Sequence, residues 1–386
     1  MQKIASVPLV LLLILSGGCG PRADDGPKCP PVNRAQKDGI FIWGGNWVNC
    51  LTVSTDGRLL AAGMADDSVR LWNIVTGKPR DRIGTVREER LGTYGRLGVH
   101  AVAFSPDGSI IAIGHELGTV SLHHAVDGAQ FSVLQPRPHG SIKSLAFSAD
   151  GKLFAVAALA IGEDGSTQNI LQIYDCGNME MLREILLNDA AKRPDLRETK
   201  ICLGISGDGK RVAAIDSDKF VTVWDTHIGK KLYGARLRSQ PASIVVSHDG
   251  NIIAWCDESG TVCMLTLSNG KAEILDENAG SNPALRFLAH DSVLAAWGGE
   301  TENIYKEWDC ASAASGKSLK PRFSLPSNRV ESDPLQWHWG FSSRALAEDR
   351  NGVLLGVLVA VKNGEEGSMI QAWSPTTGTR KEWPHW

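Results

Sequence analysis

Apolar and polar residues alternate in short segments along most of the chain, from Val48 to Trp373. A period of two is typical of β-strands that bury one face and expose the other. The segments come in sets of three: the first ends at a glycine-containing turn, and the third ends at Trp or a substitute. The pattern therefore predicts an all-β protein made of repeated sets of strands.

The repeat occurs seven times and is clearest at its first turn. VNCLTVSTDGRLLAAG, from Val48, corresponds to VHAVAFSPDGSIIAIG, from Val99, and both place Asp-Gly at the turn. Asp-Gly favours a tight hairpin because glycine adopts a positive φ at little cost. In four copies, 16 residues separate this Asp from the Trp-type position. The copies begin at Val48, Val99, Ile142, Lys200, Ala242, Ala284 and Arg344, and the last two are weaker.

Seven copies predict a seven-bladed β-propeller of four-stranded antiparallel blades over residues 39–386. Closing the blades into a ring removes the sheet edges that a row of hairpins leaves exposed. The outer strand of the last blade has two candidate sources in the sequence, Gly39–Trp43 and Thr379–Trp383. The first source would join the two ends of the propeller, whereas the second is local.

The segment FSPDG at Phe104–Gly108, and the pairs that end each third strand, resemble the WD40-repeat family. The resemblance covers Val48–Trp373 and implies a propeller fold and a role as a binding scaffold. It is specific for the fold and not for the function, since one fold serves many functions. The family's Trp-Asp position is occupied by Trp72-Asn73, His123-His124, Tyr174-Asp175, Trp224-Asp225, Leu265-Thr266, Trp308-Asp309 and Trp373-Ser374.

The chain departs from the buried polar network of that family, which joins a Gly-His before the first strand to an Asp in the second turn. Asp66 and Asp218 fit the Asp position, Leu117 replaces it in another copy, and only His139 lies near the Gly-His site. We therefore expect apolar packing between blades, from two residues on one strand face just before each Trp position. Glu307 interrupts this pattern in the sixth copy. The expected pairs are Val69 and Leu71, Val120 and Leu122, Leu171 and Ile173, and Val221 and Val223.

The first residues resemble the signal peptide of a bacterial lipoprotein. Met1–Lys3 is cationic, and Ile4–Leu15 is apolar but shorter than the about 20 residues that a membrane span needs. Ser16-Gly17-Gly18 then places small residues directly before Cys19. The resemblance implies a signal peptide at 1–18 and lipidation of Cys19. Residues 19–38, with four prolines, are expected to form a flexible tether.

Two details of this segment bear on location. Ser16 stands where the usual lipoprotein motif has Leu, so ordinary cleavage that yields a secreted protein is the alternative. Gly20 is not the Asp that marks retention in the inner membrane in many Gram-negative lipoproteins. The resemblance therefore implies an exported, periplasm-facing membrane lipoprotein, in the outer membrane rather than the inner one. Taken with the repeats, it indicates a degenerate WD40 propeller of the bacterial secreted type.

The charge balance bears on whether the chain binds nucleic acid, and the cysteine spacing bears on whether it holds a metal or redox site. The chain has 40 Lys and Arg against 43 Asp and Glu, so it lacks the basic surplus that nucleic-acid binding favours. No Cys-x-x-Cys spacing occurs, and a metal or redox site is therefore not expected. Cys50, Cys202, Cys256 and Cys263 fall in predicted strands, where buried thiols are ordinary.

Loop lengths predict where a partner binds. If the strands of a blade are called a to d from the ring centre outward, the a–b and c–d turns lie on one face, the turn face. The b–c and d–a connections lie on the other, the loop face. All the long segments belong to the loop face, which indicates a binding surface there, with drift in tolerant loops as the alternative. They are Gly84–Gly98, Ala158–Gln168, Asn188–Thr199, Pro326–Ser343 and Val361–Gly367.

Trp337 and Trp339 are the candidate partner-binding residues in one of these segments. Tryptophan is enriched among the residues that anchor protein interfaces. The alternative is that both indoles pack against the propeller and hold a long connection in place.

The sequence lacks Gly-x-Ser-x-Gly, His-Glu-x-x-His and a phosphate-binding loop. His123 and His124 are adjacent, so on a strand they point to opposite faces and cannot share a metal. We therefore expect no catalytic residue, cofactor or metal. The predicted function is a protein–protein interaction scaffold that is not an enzyme. The alternatives are a glycan or small-molecule receptor, and a channel-site enzyme of lactonase-like or quinoprotein-like type.

The lipoprotein interpretation predicts that Cys19→Ser releases the protein from the membrane fraction or blocks its processing, because the lipid is attached to the thiol. Fractionation and mass spectrometry of the mature N-terminus measure both effects. Cys29→Ser, in the predicted tether, is the matched control and should leave both unchanged. Unchanged fractionation of Cys19→Ser, with no fatty acid on the wild-type N-terminus, contradicts the prediction.

Overall fold

The computed structural model describes the repeats as a series of antiparallel β-sheets. The regular structure is β-strand, apart from helical residues Cys310 and Ala311. Before the repeats lie β1 (Val10–Leu11) and β2 (Ile40–Ile42). The described residues are 10–11, 40–42, 47–64, 67–73, 79–84, 98–136, 140–162, 166–188, 191–192, 200–288, 290–298, 304–311, 321, 323–325, 338–340, 346–348, 354–362 and 365–373.

Six sheets are blades in which four consecutive strands pair in chain order. Blade 1 has β3 (Trp47–Val53), β4 (Leu59–Met64), β5 (Ser68–Asn73) and β6 (Pro79–Gly84). Blade 2 has β7 (Val99–Phe104), β8 (Ile110–His115), β9 (Val120–His124) and β10 (Gln130–Leu134). Blade 3 has β11 (Gly140–Phe147), β12 (Leu153–Ile161), β13 (Ser166–Asp175) and β14 (Met181–Leu186), and β15 (Ala191–Lys192) pairs with β13.

The remaining blades follow the same order. Blade 4 has β16 (Cys202–Ile205), β17 (Arg211–Ile215), β18 (Phe220–Asp225) and β19 (Lys231–Arg236). Blade 5 has β20 (Pro241–Val246), β21 (Ile252–Asp257), β22 (Val262–Thr266) and β23 (Lys271–Asp276). Blade 6 has β24 (Ala284–Leu288), β25 (Val293–Gly298), β26 (Ile304–Asp309) and β27 (Phe323–Leu325). The inner strands of successive blades contact one another, from β3 to β24.

The prediction of a seven-bladed propeller is wrong, because the structure has six blades of the predicted kind. The seventh copy lies in a sheet of different design, with β28 (His338–Gly340), β29 (Leu346–Glu348), β30 (Leu354–Lys362) and β31 (Glu365–Trp373). Its inner edge is divided, since β28 and β29 both pair with β30. The copy's first segment, RALAEDR, has too few apolar residues before its charges to form a full inner strand.

The outer edge of this last sheet is formed by a segment from far away in the chain. β2 pairs with β31, with Ile40 opposite Ile370. The outer strand therefore comes from the segment Gly39–Trp43, which is one of the two sources predicted for it. Thr379–Trp383 lies outside the described residues.

Apolar packing between adjacent blades forms the core. In β18, Val221 and Val223 are fully buried and pack with Ile253 of blade 5. Trp224, the next residue, points to the other face of the strand and packs with Leu171 of blade 3. Side chains of one blade thus fill the gaps to both neighbouring blades, because successive residues of a strand point to opposite faces. The predicted packing pairs are all buried: Val69 and Leu71, Val120 and Leu122, Leu171 and Ile173, and Val221 and Val223.

The Trp-type positions of blades 1 to 6 are buried, as the repeat alignment predicts. Trp72 and Trp308 are each 1% exposed, and Trp224 is 5% exposed. Glu307 is also buried, where it accepts a hydrogen bond from the Tyr305 hydroxyl at 2.7 Å. The sixth copy therefore keeps its buried aromatic residue and accommodates the charged residue that interrupts its pattern.

A hydrogen-bonded Ser-x-Asp-Gly turn joins strands a and b in five blades. In blade 2, Ser105 Oγ donates to Asp107 Oδ1 at 2.5 Å and accepts the Ile110 N–H at 2.9 Å. Gly108 follows with a φ of 73°, which a side chain would strain. Hydrogen bonds, chiefly from Ser105, lower the pKa of Asp107. The other pairs are Ser54 with Asp56, Ser148 with Asp150, Ser206 with Asp208 and Ser247 with Asp249.

The packing predicts that Trp224→Ala lowers the free energy of unfolding by about 3–5 kcal/mol, the usual cost of removing a large aromatic side chain from a core. Denaturant unfolding of the purified chain measures this loss. Phe220→Ala is the matched control on the same strand, because Phe220 is 41% exposed and its loss should cost about 1 kcal/mol or less. Equal losses for the two variants contradict the assignment of Trp224 to the core.

Candidate binding face

Blade 3 projects beyond its neighbours on the loop face. β12 and β13 have 9 and 10 residues, whereas β17 and β18 of blade 4 have 5 and 6. The ladder continues to Ile161, which pairs with Thr167. The extra residues add roughly 13 Å of strand. The predicted connection Ala158–Gln168 is therefore an extended hairpin and not an irregular loop, and Val361–Gly367 likewise lies in the paired ends of β30 and β31.

The other three predicted segments fall mostly on parts of the chain outside the described residues. These undescribed parts are 85–97, 189–190, 193–199, 326–337 and 341–345. The described loop face is therefore built from the b–c turns of blades 2, 4 and 5, the blade 3 hairpin and the residues beside them.

Hydrogen bonds cross from blade 3 to blade 4 on the loop face. Asn169 is fully buried, and its Nδ2 donates to Ser217 Oγ at 2.6 Å. Asn188 Oδ1 accepts the Asn169 N–H at 2.8 Å, and its Nδ2 donates to Asp218 Oδ2 at 2.7 Å. Buried polar groups cost free energy unless they are paired, so these bonds fix how the two blades meet.

Further contacts that involve charged side chains lie on the same face, within blade 2 and at two later joints. Glu116 lies 3.5 Å from His100, measured between Oε2 and Nε2. The pKa of Glu116 is lowered, chiefly by its hydrogen bond with His100 and also by the charge of Lys143 in blade 3. The later ion pairs are Lys200 with Glu258, between blades 4 and 5, and Lys306 with Asp276, between blades 5 and 6.

A chain of polar side chains fills the joint between blades 1 and 2. Asp67 Oδ1 lies 2.8 Å from His115 Nδ1, and His115 Nε2 lies 3.0 Å from Ser121 Oγ. Ser121 Oγ is also 3.0 Å from His123 Nε2, and His123 Nδ1 is 3.0 Å from the Gly128 carbonyl oxygen. The chain runs from the b–c turn of blade 1 to the c–d turn of blade 2, through the thickness of the disc.

The same chain has the Asp–His–Ser order of a hydrolase triad, but its burial points to structure. Ser121 is 4% exposed, and its hydroxyl is shared by two imidazoles. A nucleophile must be reachable by substrate and face a single base. Burial lowers the pKa of His123, which keeps that imidazole neutral inside the joint.

The turn face is held by contacts between successive blades. The Asp150 N–H donates to the Gly207 carbonyl oxygen at 2.9 Å, which links the a–b turns of blades 3 and 4. Arg183 Nε donates to the Thr226 carbonyl oxygen at 3.2 Å, which ties β14 to the c–d turn of blade 4. The equivalent contacts elsewhere are Asp208 N–H with the His248 carbonyl, and Arg80 with the Val126 carbonyl.

The sequence-predicted site residues have different outcomes. Cys19 and Trp337 lie outside the described residues, and Trp339 is described by its backbone alone, which pairs with Ala360 in β30. The prediction for the adjacent histidines is confirmed, since His123 is 1% exposed and His124 lies exposed on the other face of β9. The roles of Cys19, Trp337 and Trp339 stay predictions.

Four of the thiols in the described part of the chain sit in strands, whereas Cys176 lies in a turn and Cys310 in a short helical segment. Burial raises the pKa of Cys176 to about 12 and that of Cys263 to about 11, so both are protonated and poorly nucleophilic at neutral pH. Cys50, Cys202 and Cys256 also lie in strands, as predicted. Within the described ranges, no group of three His, Cys, Asp or Glu residues could hold a metal, and no helix is long and apolar enough to cross a membrane.

Sequence reasoning missed the residue that ends strand b. Asp216 accepts two N–H groups of the b–c turn in blade 4, and Asp257 does the same in blade 5. His115 holds the equivalent place in blade 2 and reaches across to blade 1. The available signal was a polar residue directly after the apolar run of strand b, at the same offset in three copies.

The comparisons with known proteins agree with this geometry. The family described as "WD domain, G-beta repeat" matches residues 40–73, 89–124 and 131–168. The chain is 27% identical over 203 residues to a guanine nucleotide-binding protein subunit beta of Arabidopsis thaliana, covering 50% of this chain and 48% of that protein. The corresponding subunit of Nicotiana tabacum is 28% identical over 177 residues, covering 44% and 41%. The chain thus spans about half the length of these relatives.

A solved structure extends the likeness across the fold. A chain in "Crystal Structure of Mitotic Checkpoint Complex" superposes with a TM-score of 0.61 over 92% of this chain and 98% of that one, at 14% identity. At that identity the likeness concerns the fold alone. The fold therefore defines a β-propeller with WD-type repeats. The repeat matches and the beta-subunit relatives support the WD40 β-propeller family for this chain.

The joint between blades 3 and 4 predicts that Asn188→Ala lowers the free energy of unfolding by about 1–3 kcal/mol, because the Asn169 N–H loses its acceptor. Asn178→Ala is the matched control, since Asn178 is exposed in a c–d turn and its loss should cost about 0.5 kcal/mol or less. Thermal unfolding of both variants provides the measurement. Equal shifts for the two variants argue against a structural role for the loop-face bonds.

Proposed function

We propose that this chain is a non-catalytic scaffold for protein–protein interactions, which binds its partner on the loop face. The construction of that face carries the proposal. Polar contacts cross its joints, from Asp67 and His115 at blades 1 and 2 to Lys306 and Asp276 at blades 5 and 6. The blade 3 hairpin rises above the rest of the face. A rigid surface with raised relief suits a partner that is itself folded, because little entropy is lost on binding.

The charges on the loop face favour a protein over a polyanion. Glu116 faces His100 and the charge of Lys143, and Lys200 faces Glu258. Because positive and negative groups lie side by side at each of these places, the described groups form no field of one sign. Nucleic acids and other polyanions are attracted by a field of one sign, whereas proteins match mixed charge patterns.

The relatives support protein partners for this chain. The plant relatives are named as beta subunits of a guanine nucleotide-binding protein, and the matched solved chain belongs to a complex. WD40 propellers with such neighbours support an interaction scaffold. The identity of this chain's partner is determined by its own loop face and not by the surfaces of these relatives.

The finer part of the proposal concerns place and anchors. The lipoprotein-like start supports a location on the envelope side of a bacterial membrane, with the propeller held by a lipid on Cys19. Trp337 and Trp339 supply the main anchors for the partner. The backbone of Trp339 pairs with Ala360, close to the loop-face end of the β30–β31 hairpin, which is compatible with that role.

A photo-crosslinking amino acid tests which face binds. Placed at Gly162, exposed at the end of the blade 3 hairpin, it should capture the partner from intact cell envelopes, identified by mass spectrometry. Placed at Ile228, which is 66% exposed on the turn face, it is the matched control and should capture nothing specific. Capture at Ile228 alone, or at neither position, contradicts the proposal.

The double variant Trp337→Ala and Trp339→Ala tests the anchors. We expect capture through Gly162 to fall by about tenfold or more, since anchor residues each contribute about 2 kcal/mol or more to binding. The thermal midpoint should stay nearly unchanged. If the double variant unfolds instead, the two indoles pack against the propeller and are not anchors.

A further inference from the structure

The polar chain between blades 1 and 2 has four hydrogen bonds, and each bond needs one hydrogen. The Asp67 carboxylate and the Gly128 carbonyl can only accept. His115 Nδ1 must therefore donate to Asp67, and His123 Nδ1 must donate to Gly128. The positions of the first and the last hydrogen are thus fixed by the acceptors at the two ends.

The two inner bonds both end on Ser121 Oγ, which has a single hydrogen. That hydrogen can serve only one of the two imidazole Nε2 atoms. The other bond requires an N–H on Nε2 of the second imidazole, which already carries its Nδ1 hydrogen. A neutral imidazole has only one N–H, so all four bonds form together only when one of the two histidines is an imidazolium.

The surroundings decide which histidine carries the charge. His115 faces the Asp67 carboxylate at 2.8 Å, whereas His123 faces a hydroxyl and a carbonyl. Burial lowers the pKa of His123, and the nearby His115 lowers it further. A proton on the carboxyl group of Asp67 would be disfavoured, because a carboxyl is far more acidic than an imidazolium.

We infer that the chain binds one extra proton, held on His115, and that this proton makes the joint between blades 1 and 2 a proton-dependent clamp. With the proton, His115 donates to Asp67 and to Ser121, and Ser121 donates to His123. Without it, one inner bond is lost and the attraction between His115 and Asp67 loses its ionic part. Asp67 has a φ of 63°, so the bond to His115 also holds a strained turn on the loop face.

The charged groups around the clamp are few among the described residues. Glu116 follows His115 in the b–c turn and pairs with His100, and the charge of Lys143 acts on Glu116 from blade 3. Four hydrogen bonds and an ionic contact hold the joint while the extra proton is bound, and three hydrogen bonds hold it once that proton has left. The clamp therefore contributes more to stability in acid than in base.

Histidine tautomers provide the direct test. In the full chain labelled with ¹⁵N-histidine, two-bond ¹H–¹⁵N spectra distinguish the imidazolium from each neutral tautomer. At about pH 6, on the acid side of the usual range of histidine, we expect His115 as imidazolium and His123 as the neutral Nδ1–H tautomer. His115→Gln and His123→Gln assign the two signals, and exposed His124 is the internal reference. A neutral His115 at that pH, or His123 as the cation or the Nε2–H tautomer, overturns the inference.

The pH dependence of the thermal midpoint provides a second test. Asp67→Asn should lower the midpoint roughly twice as much at about pH 6 as at about pH 8, because the ionic contact exists only with His115 charged. Asp127→Asn, at an exposed c–d turn, is the matched control and should show equal shifts. Equal shifts for Asp67→Asn, or a larger shift at the higher pH, overturn the clamp. If Asp67→Asn does not fold, the tautomers of the wild-type chain decide.

Discussion

Apolar packing between neighbouring blades is the interaction on which the rest of the structure depends. The third strand of blade 4 sends Val221 and Val223 towards the next blade and the Trp-type residue Trp224 towards the preceding one. A fully buried side chain of this kind contributes about 1.5–3 kcal/mol, whereas a hydrogen bond contributes about 0.5–1.5 kcal/mol net. The joints are therefore held together mainly by apolar contact, and their polar bonds determine how the blades are aligned.

That division explains why the two faces of the disc differ. On the turn face, short Ser-x-Asp-Gly turns recur in five blades, and main-chain bonds such as Asp150 to Gly207 link neighbouring turns. On the loop face, the kind of polar contact differs from joint to joint: amides at Asn169 and Asn188, and ion pairs at Lys200 and Lys306. The polar contacts of the turn face thus repeat from blade to blade, whereas those of the loop face differ at each joint. An individual surface is what specific recognition requires.

The sequence predicts the blades well because their signals are local. Asp-Gly turns, period-two alternation and a fixed distance to the Trp position lie within a single copy, so blades 1 to 6 follow from them. The seventh copy was predicted wrongly at its inner edge, which β28 and β29 share and which has no clear alternating segment in the sequence. Its outer strand, Ile40–Ile42, lies in one of the two predicted sources, and no local pattern decides between sources so far apart.

The candidate site was predictable only in part, for a related reason. Loop length indicated the loop face, but it did not distinguish an irregular loop from the extended hairpin at Ile161 and Thr167. The chain of Asp67, His115 and Ser121 joins residues from two copies of the repeat. The number of hydrogens that its bonds need can be counted only when the positions of the atoms are known. The roles of Trp337 and Trp339 depend on their surroundings and stay predictions.

The pairing of β2 with β31 has a consequence for how the chain folds. Within a blade, paired strands are close in sequence, so each blade can form soon after its own residues are synthesised. Ile40 and Ile370 are roughly 330 residues apart, and their pairing must wait until almost the whole propeller exists. During synthesis, the outer edge of the last sheet therefore stays open until β2 pairs with it. An unpaired strand edge is a site where chains pair with one another, so closing this edge protects the finished propeller from association.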